Sequence, residues 1–449
     1  MEARQTLIFE ESDDSEPIHL STGYLKSEDT WEDLVPKGVA NCLMKQGFLS
    51  PTRIQSKTIK AALDLNTRIA ILQSQNGSGK TLAYLIPVFL RINKIGPIEY
   101  KKSDKHFTPQ AMIFVHSQEI GSQILSAAKP LQEIFPSMKI GLLTQQDRDK
   151  GLPKKHILIG TPRMLDWGVR NKIILTHKLQ ILVIDEAEFV LNYSRGADSF
   201  CDIIQRMALP DRQMFFFSAD FTKQSIELIY SLNRPKDKIY ESLLPGILKM
   251  PLGISHYYIV NRGESVIDKA LRMYNTGQVL IFVNGRNSAQ GLAERLWQKY
   301  HNVEFFVGGE QEAPNEVQLS EFERNTVISA FDKNETRILV TTDALARGFD
   351  FRRVGLVINF HLPITHEKEN PMNLDVGLYL HRAGRTGRFG DPGIVLNVLT
   401  DPKEKENIQR IEDGYSIKIT GLDSSLDALR SVLKSNLNYD EFMSVISMN

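Results

Sequence analysis

A glycine-rich turn between an apolar run and a helical segment limits what this chain can fold into. The apolar run is Ile69–Leu72, and the turn leads into the pair Lys80-Thr81. Glycines in such a turn let successive backbone N–H groups point at polyphosphate oxygens, and the following helix adds the positive end of its dipole. The pattern predicts a phosphate-binding loop in a strand–loop–helix unit. Its residues are Ser74, Gln75, Asn76, Gly77, Ser78, Gly79, Lys80 and Thr81.

The last two residues of this loop carry its charge and its metal chemistry. We expect Lys80 to neutralise the β- and γ-phosphates and the Thr81 hydroxyl to coordinate Mg²⁺. The full phosphate-loop pattern has a glycine where this chain has Ser74, so the match is partial. The loop alone therefore leaves an ordinary strand-to-helix turn as the alternative.

Acidic residues follow a second strand-like run. Ile181–Ile184 is apolar, and Asp185, Glu186 and Glu188 come directly after it. Carboxylates at the carboxyl end of a buried parallel strand lie where open α/β sheets bind ligands. We expect Asp185 to hold Mg²⁺ and Glu186 to polarise the attacking water. Solvated turn residues are the alternative for this cluster alone, but its combination with a phosphate loop favours an NTPase.

An arginine-rich segment in the second half of the chain complements these two elements. His381–Arg388 interleaves three arginines with glycines. Arg385 and Arg388 are candidates for arginine fingers that stabilise charge on a transferred phosphoryl group. A generic basic loop is the alternative. If both lobes contact ATP only when they close, the nucleotide state controls whether a molecule bound by both lobes is held or released.

Composition bounds the class of protein. A chain of 449 residues is too long for one core and suits two domains. The formal net charge is +0, so any contact with nucleic acid must come from a local basic surface. The two cysteines, Cys42 and Cys201, argue against a disulfide framework or a zinc site. No apolar run of the sequence approaches the length of a membrane span, so we expect no membrane insertion.

Strand-like runs alternate with helical segments in both halves of the sequence. This alternation, with unbroken apolar strands, predicts an α/β fold of parallel sheets covered by helices on both faces. The expected strands are Ile69–Leu72, Ala111–Val115, Ile140–Leu143, Ile157–Ile159, Ile181–Ile184 and Met214–Phe217, followed by His256–Val260, Val279–Val283, Glu304–Val307, Arg337–Val340, Leu356–Phe360 and Ile394–Leu399.

Prolines and glycines between Asn233 and Gly253 are expected to break any regular element and to mark the domain boundary. We expect a first domain over residues 25–240, a linker over 241–252 and a second domain over 253–449. Residues 1–24 are acidic and polar, and we expect a disordered tail there.

With these elements in this order, the chain resembles a DEAD-box RNA helicase, from Trp31 to about Ile419. Seven motifs of that family occur in sequence. The resemblance implies two tandem RecA-like domains, ATP and Mg²⁺ as ligands, and RNA-stimulated ATP hydrolysis. The motifs are Pro51–Gln55 (Q motif), Ser74–Thr81 (I), Asp185–Glu188 (II), Ser218–Asp220 (III), Leu280–Phe282 (IV), Thr341–Asp350 (V) and His381–Arg388 (VI).

The resemblance also implies roles for residues outside the phosphate loop. Gln55, beside Phe48, would read the adenine edge by two hydrogen bonds, and Trp31 stands near the position of the family's base-stacking aromatic. Gly348 and Asp350 would line the nucleotide. The residues placed on the track of single-stranded RNA, which would be bound without sequence preference, are Ser117, Gln118, Thr161, Arg163, Arg286 and Thr342. Those expected to couple ATP to RNA are Glu188, Ser218, Asp220, His381 and Arg382.

A narrower likeness points to one branch of the family. The segments Ser74-Gln75, Asn359–Pro363 and Thr161-Pro162 followed by Leu165–Trp167 look like the nuclear-pore mRNA-export branch, with the translation-initiation branch as the nearest competitor. This likeness implies a nucleoporin on the first lobe and an inositol-phosphate-dependent activator on the second. It also implies a monomer in the cytoplasm and nucleus, including the cytoplasmic face of the nuclear pore.

The sequence departs from the family pattern at several positions. Glu188 replaces an aspartate and Asp220 replaces a threonine. We expect reduced coupling before lost chemistry, because the longer Glu188 side chain can still reach the hydroxyl or histidine partners of motifs III and VI. Motif Ia, His116–Glu119, lacks an arginine, and Arg163 restores a positive charge nearby.

Two other classes of function remain as alternatives. The first is an ATP-dependent RNA clamp with negligible hydrolysis, which the altered motifs II and III would produce. The second is a metabolic kinase with a phosphate loop. The kinase is disfavoured because nothing in the sequence resembles a site for a small acceptor molecule.

Overall fold

The structure is a computed structural model that describes residues 27–422, except 76, 101–105, 148–153, 192–193, 196–197, 208–211, 235–236, 245–249, 251–252, 262, 275–276, 309–314, 347–348, 350, 352, 365–372 and 388–391. The chain divides into two compact units, with the boundary between Leu243 and Leu244 and with Gln75–Gly77 assigned to the second unit. We call the part before this boundary lobe 1 and the part after it lobe 2. The predicted acidic tail lies outside the described residues.

Lobe 1 is built on a seven-stranded parallel sheet with the strand order β3-β4-β2-β5-β8-β1-β9. A short antiparallel pair, β6 with β7, accompanies it. The strands are β1 (Thr67–Gln73), β2 (Ala111–Phe114), β3 (Ile140–Leu142), β4 (Ile157–Gly160), β5 (Ile181–Ile184), β6 (Ser194–Arg195), β7 (Asp198–Ser199), β8 (Gln213–Ser218) and β9 (Lys238–Ser242). The helices are α1 (Trp31–Leu34), α2 (Lys37–Lys45), α3 (Arg53–Leu63), α4 (Lys80–Ile95), α5 (Gln118–Ile134), α6 (Pro162–Arg170), α7 (Ala187–Val190), α8 (Phe200–Met207) and α9 (Lys223–Ser231).

Lobe 2 contains a second parallel sheet of seven strands, in the order β12-β13-β11-β14-β15-β10-β16. Its strands are β10 (Ile254–Val260), β11 (Gln278–Phe282), β12 (Val303–Phe306), β13 (Ile338–Thr341), β14 (Val354–Asn359), β15 (Gly393–Leu399) and β16 (Ile419–Gly421). Its helices are α10 (Ser265–Met273), α11 (Arg286–Trp297), α12 (Glu321–Asp332), α13 (Val376–Ala383) and α14 (Lys405–Tyr415), with short 3₁₀ helices at Asp343–Leu345 and Pro402–Glu404.

The two sheets share one topology. When the small β6–β7 pair is set aside, the strands of each lobe follow the same order across the sheet, with the third strand of the lobe at one edge and the seventh at the other. This arrangement confirms the α/β fold predicted from the repeated strand–helix alternation. Among the described residues, no helix combines the length and the apolarity that crossing a bilayer requires.

The strand β8 illustrates why these apolar runs form central strands. Successive side chains of a strand point to opposite faces of the sheet. Phe215 and Phe217 accordingly join a core with helices α2 to α5, while Phe216 joins a second core with α6, α7 and α8 on the other face. All three side chains are fully buried. Because both faces are covered by helices, an unbroken apolar run is required there.

All twelve predicted strands are present, with ends that differ by at most a few residues, but the expectation of no regular element between Asn233 and Gly253 was wrong. Strand β9 (Lys238–Ser242) lies in this segment and pairs with β1 at the edge of the sheet. Four of its five side chains are partly or fully exposed, so the segment lacks the apolar run by which the other strands were recognised. The sequence also gave no signal for β6, β7 and β16.

Candidate nucleotide and RNA site

Residues of the phosphate loop hydrogen-bond to one another. Gly77 and Gly79 have φ angles of 75° and 91°, the left-handed region that glycine adopts without steric cost. The Ser78 hydroxyl donates to Oγ of Ser74 at 2.9 Å, and Nζ of Lys80 donates to the Ser74 carbonyl at 3.3 Å. Lys80 is the first residue of α4, a helix of 16 residues. A buried cation thus stands at a helix N-terminus, where phosphate oxygens are favoured.

Gln55 lies against this loop. Its Oε1 accepts from the backbone N–H of Thr52 at 2.9 Å, and its Nε2 donates to the Gly79 carbonyl at 3.3 Å. Thr52 in turn caps helix α3, so Gln55 and Thr52 form a reciprocal capping box. These two bonds fix the orientation of the amide and leave one N–H and one lone pair of Gln55 for a base edge. The arrangement also packs Gly79 closely, because a Cβ there would lie 2.5 Å from Nε2 of Gln55.

Trp31 has a different position from the one that the resemblance implied. Its indole is only 1% exposed and belongs to the core of lobe 1, and its Nε1 donates to the Phe48 carbonyl at 2.8 Å. A ring enclosed in the core has no free face on which an adenine could stack. Phe48 is half-buried against the same core, so it is the more accessible of the two aromatic side chains.

Asp185 is buried directly after the carboxyl end of β5, which is separated from the phosphate-loop strand β1 by β8 alone. Its Oδ2 accepts from the Tyr84 hydroxyl at 3.0 Å and its Oδ1 from the backbone N–H of Glu186 at 3.0 Å. The pKa of Asp185 is raised to about 7, first by burial and then by the Glu186 carboxylate, while Lys80 and Tyr84 act in the opposite direction. Burial and the neighbouring Glu186 carboxylate thus both disfavour the ionised form of Asp185.

Glu186 is held in a strained conformation. Its φ and ψ angles are 49° and 56°, in the left-handed region that non-glycine residues rarely adopt. The side chain is buried, and its Oε2 has no hydrogen-bond partner among the described residues. Strain and an unsatisfied buried polar atom commonly occur together at functional sites.

These residues fit a magnesium nucleotide. Mg²⁺ prefers hard oxygen ligands and usually combines one or two carboxylates with substrate phosphates. Asp185 offers a carboxylate, and Thr81, on the first turn of α4, offers a partly exposed hydroxyl. The unsatisfied Oε2 of Glu186 gives the same site an acceptor without a protein donor among the described residues.

The predicted contact between motifs II and III is present. The Ser218 hydroxyl, fully buried at the end of β8, donates to Oε2 of Glu188. Oγ of Ser218 also accepts from the backbone N–H of Asp220 at 2.9 Å. The longer glutamate side chain therefore does reach the hydroxyl of motif III, as its length predicted.

The described part of motif VI is held inside lobe 2. Arg382 is fully buried and donates to Asp343, to the His361 carbonyl at 2.7 Å and to Oδ1 of Asn284 at 2.9 Å. Arg385 is also buried, and its guanidinium donates to the carbonyls of His381 and Phe349. His381 itself is buried in α13. The other predicted nucleotide residues Asn76, Gly348, Asp350 and Arg388 lie outside the described residues.

In lobe 1, the residues placed on the RNA track follow two paired strands. The ends of β2 and β4 are in register at Phe114 and Gly160. Ser117 then caps helix α5, and Thr161 is the N-cap residue of α6. Gln118 and the exposed Arg163 belong to the first turns of these helices. Two helix N-termini and a cation thus lie along one edge of the sheet, a combination that suits phosphate oxygens.

Lobe 2 repeats this arrangement on the equivalent strands. The ends of β11 and β13 are in register at Phe282 and Thr341. Arg286 opens α11 after the first of these strands, and Thr342 precedes the 3₁₀ helix after the second. Nε of Arg286 lies 3.3 Å from a carboxylate oxygen of Glu316, so an RNA phosphate would have to compete with that ion pair.

Two residues at these sites were not predicted from the sequence. Tyr84 contacts Asp185, which lies 101 residues later in the sequence. Asp343 contacts Arg382, which lies 39 residues later. Tyr84 lies three residues after Thr81, a spacing that places two side chains on one helix face. That spacing was the only available signal, and it does not identify the partner after β5.

Two family models match the chain. The model for the DEAD/DEAH box helicase domain matches residues 52–229, and that for the helicase conserved C-terminal domain matches residues 263–390. Together they match more than half of the sequence, one in each lobe. The chain belongs to the DEAD-box ATP-dependent RNA helicases.

Among individual proteins, the chain is similar to the ATP-dependent RNA helicase dbp5 of Aspergillus fumigatus, with 27% identity over 92% of this chain and 82% of the relative. The DEAD-box helicase Dbp80 of Drosophila melanogaster is 28% identical over 93% of this chain and 85% of the relative. The fold is similar to S. cerevisiae Dbp5 bound to RNA and ADP BeF3, with a TM-score of 0.78 and 24% identity over 91% of this chain and 99% of that one.

Proposed function

We propose that this helicase is an RNA-stimulated ATPase whose lobes close together on single-stranded RNA, so that short duplexes are unwound or proteins are displaced. The observation that carries the proposal is the buried, strained Glu186, whose Oε2 has no partner among the described residues and which adjoins Asp185 in motif II. A carboxylate kept in this state suits a hydrogen bond to an attacking water.

The nucleotide is bound by the loop that contains Lys80. Backbone N–H groups at the start of α4 and the Lys80 ammonium bind the phosphates, and Gln55 offers its remaining amide groups to the base. Thr81 and Asp185 would hold Mg²⁺, which neutralises charge on the phosphate oxygens during phosphoryl transfer. Glu186 orients the water and accepts its proton.

Lobe 2 contributes the arginines of motif VI. Arg385 donates to two backbone carbonyls of its own lobe through Nε and Nη1, and these bonds fix the orientation of its guanidinium. Arg388 is the second proposed finger. Fingers supplied by lobe 2 would make hydrolysis depend on lobe closure, because they reach a phosphate held by lobe 1 only when the lobes come together.

RNA is gripped through its backbone. The equivalent positions of Ser117 and Thr161 in lobe 1, and of Arg286 and Thr342 in lobe 2, support a strand that runs over both sheets at their carboxyl edges. Contacts of this kind read phosphates and sugars and leave the bases unread. Glu188, Ser218, Asp220, His381 and Arg382 are the residues proposed to link this grip to the nucleotide.

We place the activity in mRNA export at the cytoplasmic face of the nuclear pore, on the likeness to Dbp5 proteins. The fold is also similar to that of a S. cerevisiae Dbp5 variant bound to Nup159, Gle1, IP6 and ADP, with a TM-score of 0.57. That complex supports a nucleoporin and an inositol-phosphate-dependent activator as partners of this chain. A monomer that moves between cytoplasm and nucleus is the proposed form.

The test is ATP turnover with and without single-stranded RNA, for the natural chain and for Glu186→Gln. We expect RNA to stimulate turnover, and Glu186→Gln to bind ATP normally and to turn it over at least about 100-fold more slowly. Glu227→Gln, an exchange on α9 away from every motif, is the matched control. If the natural chain binds RNA more tightly with a nonhydrolysable ATP analogue but never hydrolyses ATP, it is a clamp and the proposal fails.

A further inference from the structure

The helix that follows the phosphate loop brings one more polar group to the nucleotide site. Tyr84 lies in α4, about one turn after Thr81, and its side chain is fully buried. Its hydroxyl donates to Oδ2 of Asp185 at 3.0 Å. Tyr84 therefore contacts Asp185, one of the residues that are proposed to hold Mg²⁺.

The direction of this hydrogen bond follows from its chemistry. A carboxylate oxygen accepts and a phenol carries one hydrogen, so the Tyr84 hydroxyl is the donor and Asp185 is the acceptor.

The Asp185 carboxylate is consequently fixed at both oxygens. Oδ1 accepts from the backbone N–H of Glu186 at 3.0 Å, and Oδ2 accepts from Tyr84. One bond comes from the segment after β5 and the other from α4. The two bonds leave the carboxylate little freedom to rotate, while each oxygen retains a lone pair.

We propose that Tyr84 is a positioning residue that aligns the Asp185 carboxylate for the divalent cation of the nucleotide. The proposal rests on the role proposed above for Asp185. Groups that hydrogen-bond to metal ligands change metal affinity or activity by about 10- to 100-fold when they are removed.

A role in packing alone makes a different prediction. The Tyr84 ring lies 5.3 Å from the ring of Phe217, centroid to centroid, within the core of lobe 1. Phenylalanine at position 84 keeps this ring contact and removes only the hydroxyl. A packing residue would therefore tolerate the exchange without any change in metal dependence.

The test uses the full chain with Tyr84→Phe. The first measurement is the Mg²⁺ concentration that gives half-maximal RNA-stimulated ATP turnover. The second is the affinity for a fluorescent ADP analogue, measured once in Mg²⁺ and once in EDTA. We expect the half-maximal Mg²⁺ concentration to rise about 10-fold and the Mg²⁺-dependent gain in ADP affinity to fall about 10-fold. The affinity in EDTA should remain that of the natural chain.

Tyr100→Phe is the matched control, because the Tyr100 hydroxyl donates to the Thr108 carbonyl at 2.6 Å in the same lobe, outside the motifs. It should leave both Mg²⁺ measurements unchanged. The proposal is overturned if Tyr84→Phe lowers only the thermal midpoint and both Mg²⁺ measurements match the control. The Asp185→Asn variant tests the cation site separately from the role of Tyr84. If this variant also leaves both Mg²⁺ measurements unchanged, the proposed cation site itself is wrong.

Discussion

Nε of Arg382 donates to Oδ1 of Asp343 at 2.6 Å, and this bond joins motif VI to motif V inside lobe 2. The same guanidinium lies over the ring of Phe282, 5.1 Å from its centroid, and donates to Asn284 and to the His361 carbonyl. One buried cation thus ties α13 to the segments that follow β11, β13 and β14. These contacts give Arg382 a structural role in lobe 2, in addition to the coupling role proposed for it.

Arg382→Lys should lower the free energy of unfolding by about 3 kcal/mol, because an ammonium cannot reproduce three separate planar hydrogen bonds in a buried position. Urea unfolding followed by circular dichroism measures the change. Arg272→Lys is the control, since Arg272 is mostly exposed and pairs with Asp268 one turn away. It should change stability by less than about 0.5 kcal/mol. Equal effects of the two exchanges would contradict the structural role of Arg382.

Gly79→Ala should destabilise lobe 1 and weaken ATP binding. A Cβ at this position meets the Gln55 amide at 2.5 Å, in addition to the cost of a left-handed φ angle. Gly96 has a similar φ of 85°, and no atom lies within 4 Å of the position that its Cβ would take. Gly96→Ala therefore measures the backbone cost alone, about 1 kcal/mol. We expect a larger loss for Gly79→Ala, together with lower affinity in an ATP titration. An equal loss with normal ATP binding would show that the Gln55 contact is unimportant.

Ser218→Ala removes the hydroxyl that binds Glu188, and we expect unwinding to fall more than ATP turnover. The exchange leaves a carboxylate oxygen of Glu188 without this donor, which costs about 1–3 kcal/mol when the group is buried. A strand-displacement assay run beside an ATPase assay gives the ratio of the two activities. Ser225→Ala, which removes a buried hydroxyl from α9, is the control. A proportional fall in both activities would argue against a coupling role.

Lobe 2 should lose stability as the pH falls from about 6.5 towards 4. Burial lowers the pKa of His256 to about 4, and its Nδ1 lies 2.9 Å from the Tyr379 hydroxyl. The unfolded chain binds a proton near pH 6.5 and the folded chain only near pH 4, so stability is full above this window and declines through it, by about 3 kcal/mol at most.

The measurement for this prediction is the free energy of unfolding between pH 4 and pH 7, for the natural chain and for His256→Gln. The variant should lack the part of the slope that belongs to His256. His301→Gln, an exchange of an exposed histidine, should keep the natural slope. A natural chain and a His256→Gln variant with parallel pH profiles would remove His256 as the source.

The sequence predicted the strands that are buried on both faces, because an unbroken apolar run such as Ile181–Ile184 is typical of such strands. It did not predict β9, where Lys238 and Glu241 interrupt the apolar pattern of an edge strand. At the site, local spacing placed Lys80 and Asp185 correctly after the ends of their strands. The contacts of Tyr84 and Arg382 depend on which strands become neighbours, and a single sequence does not reveal that.

Trp31 shows a second limit of sequence reasoning. The family resemblance placed Trp31 near a base-stacking aromatic, yet the packing of α1 with α2 and α3 encloses its ring. Exposure of an aromatic residue is decided by helices that pack around it, and these can lie far from it in the chain. The same packing brings Thr52 and Gln55 against Gly79, a contact that their own capping box sequence does not foretell.

The last strand of each half closes the edge of its own sheet: β9 beside β1, and β16 beside β10. Within the described residues, neither half borrows a strand from the other. This construction predicts that the polypeptide, when severed after Leu243, yields two pieces that fold separately. Mixing them would then show whether nucleotide and RNA suffice to reunite the pieces without a covalent tether.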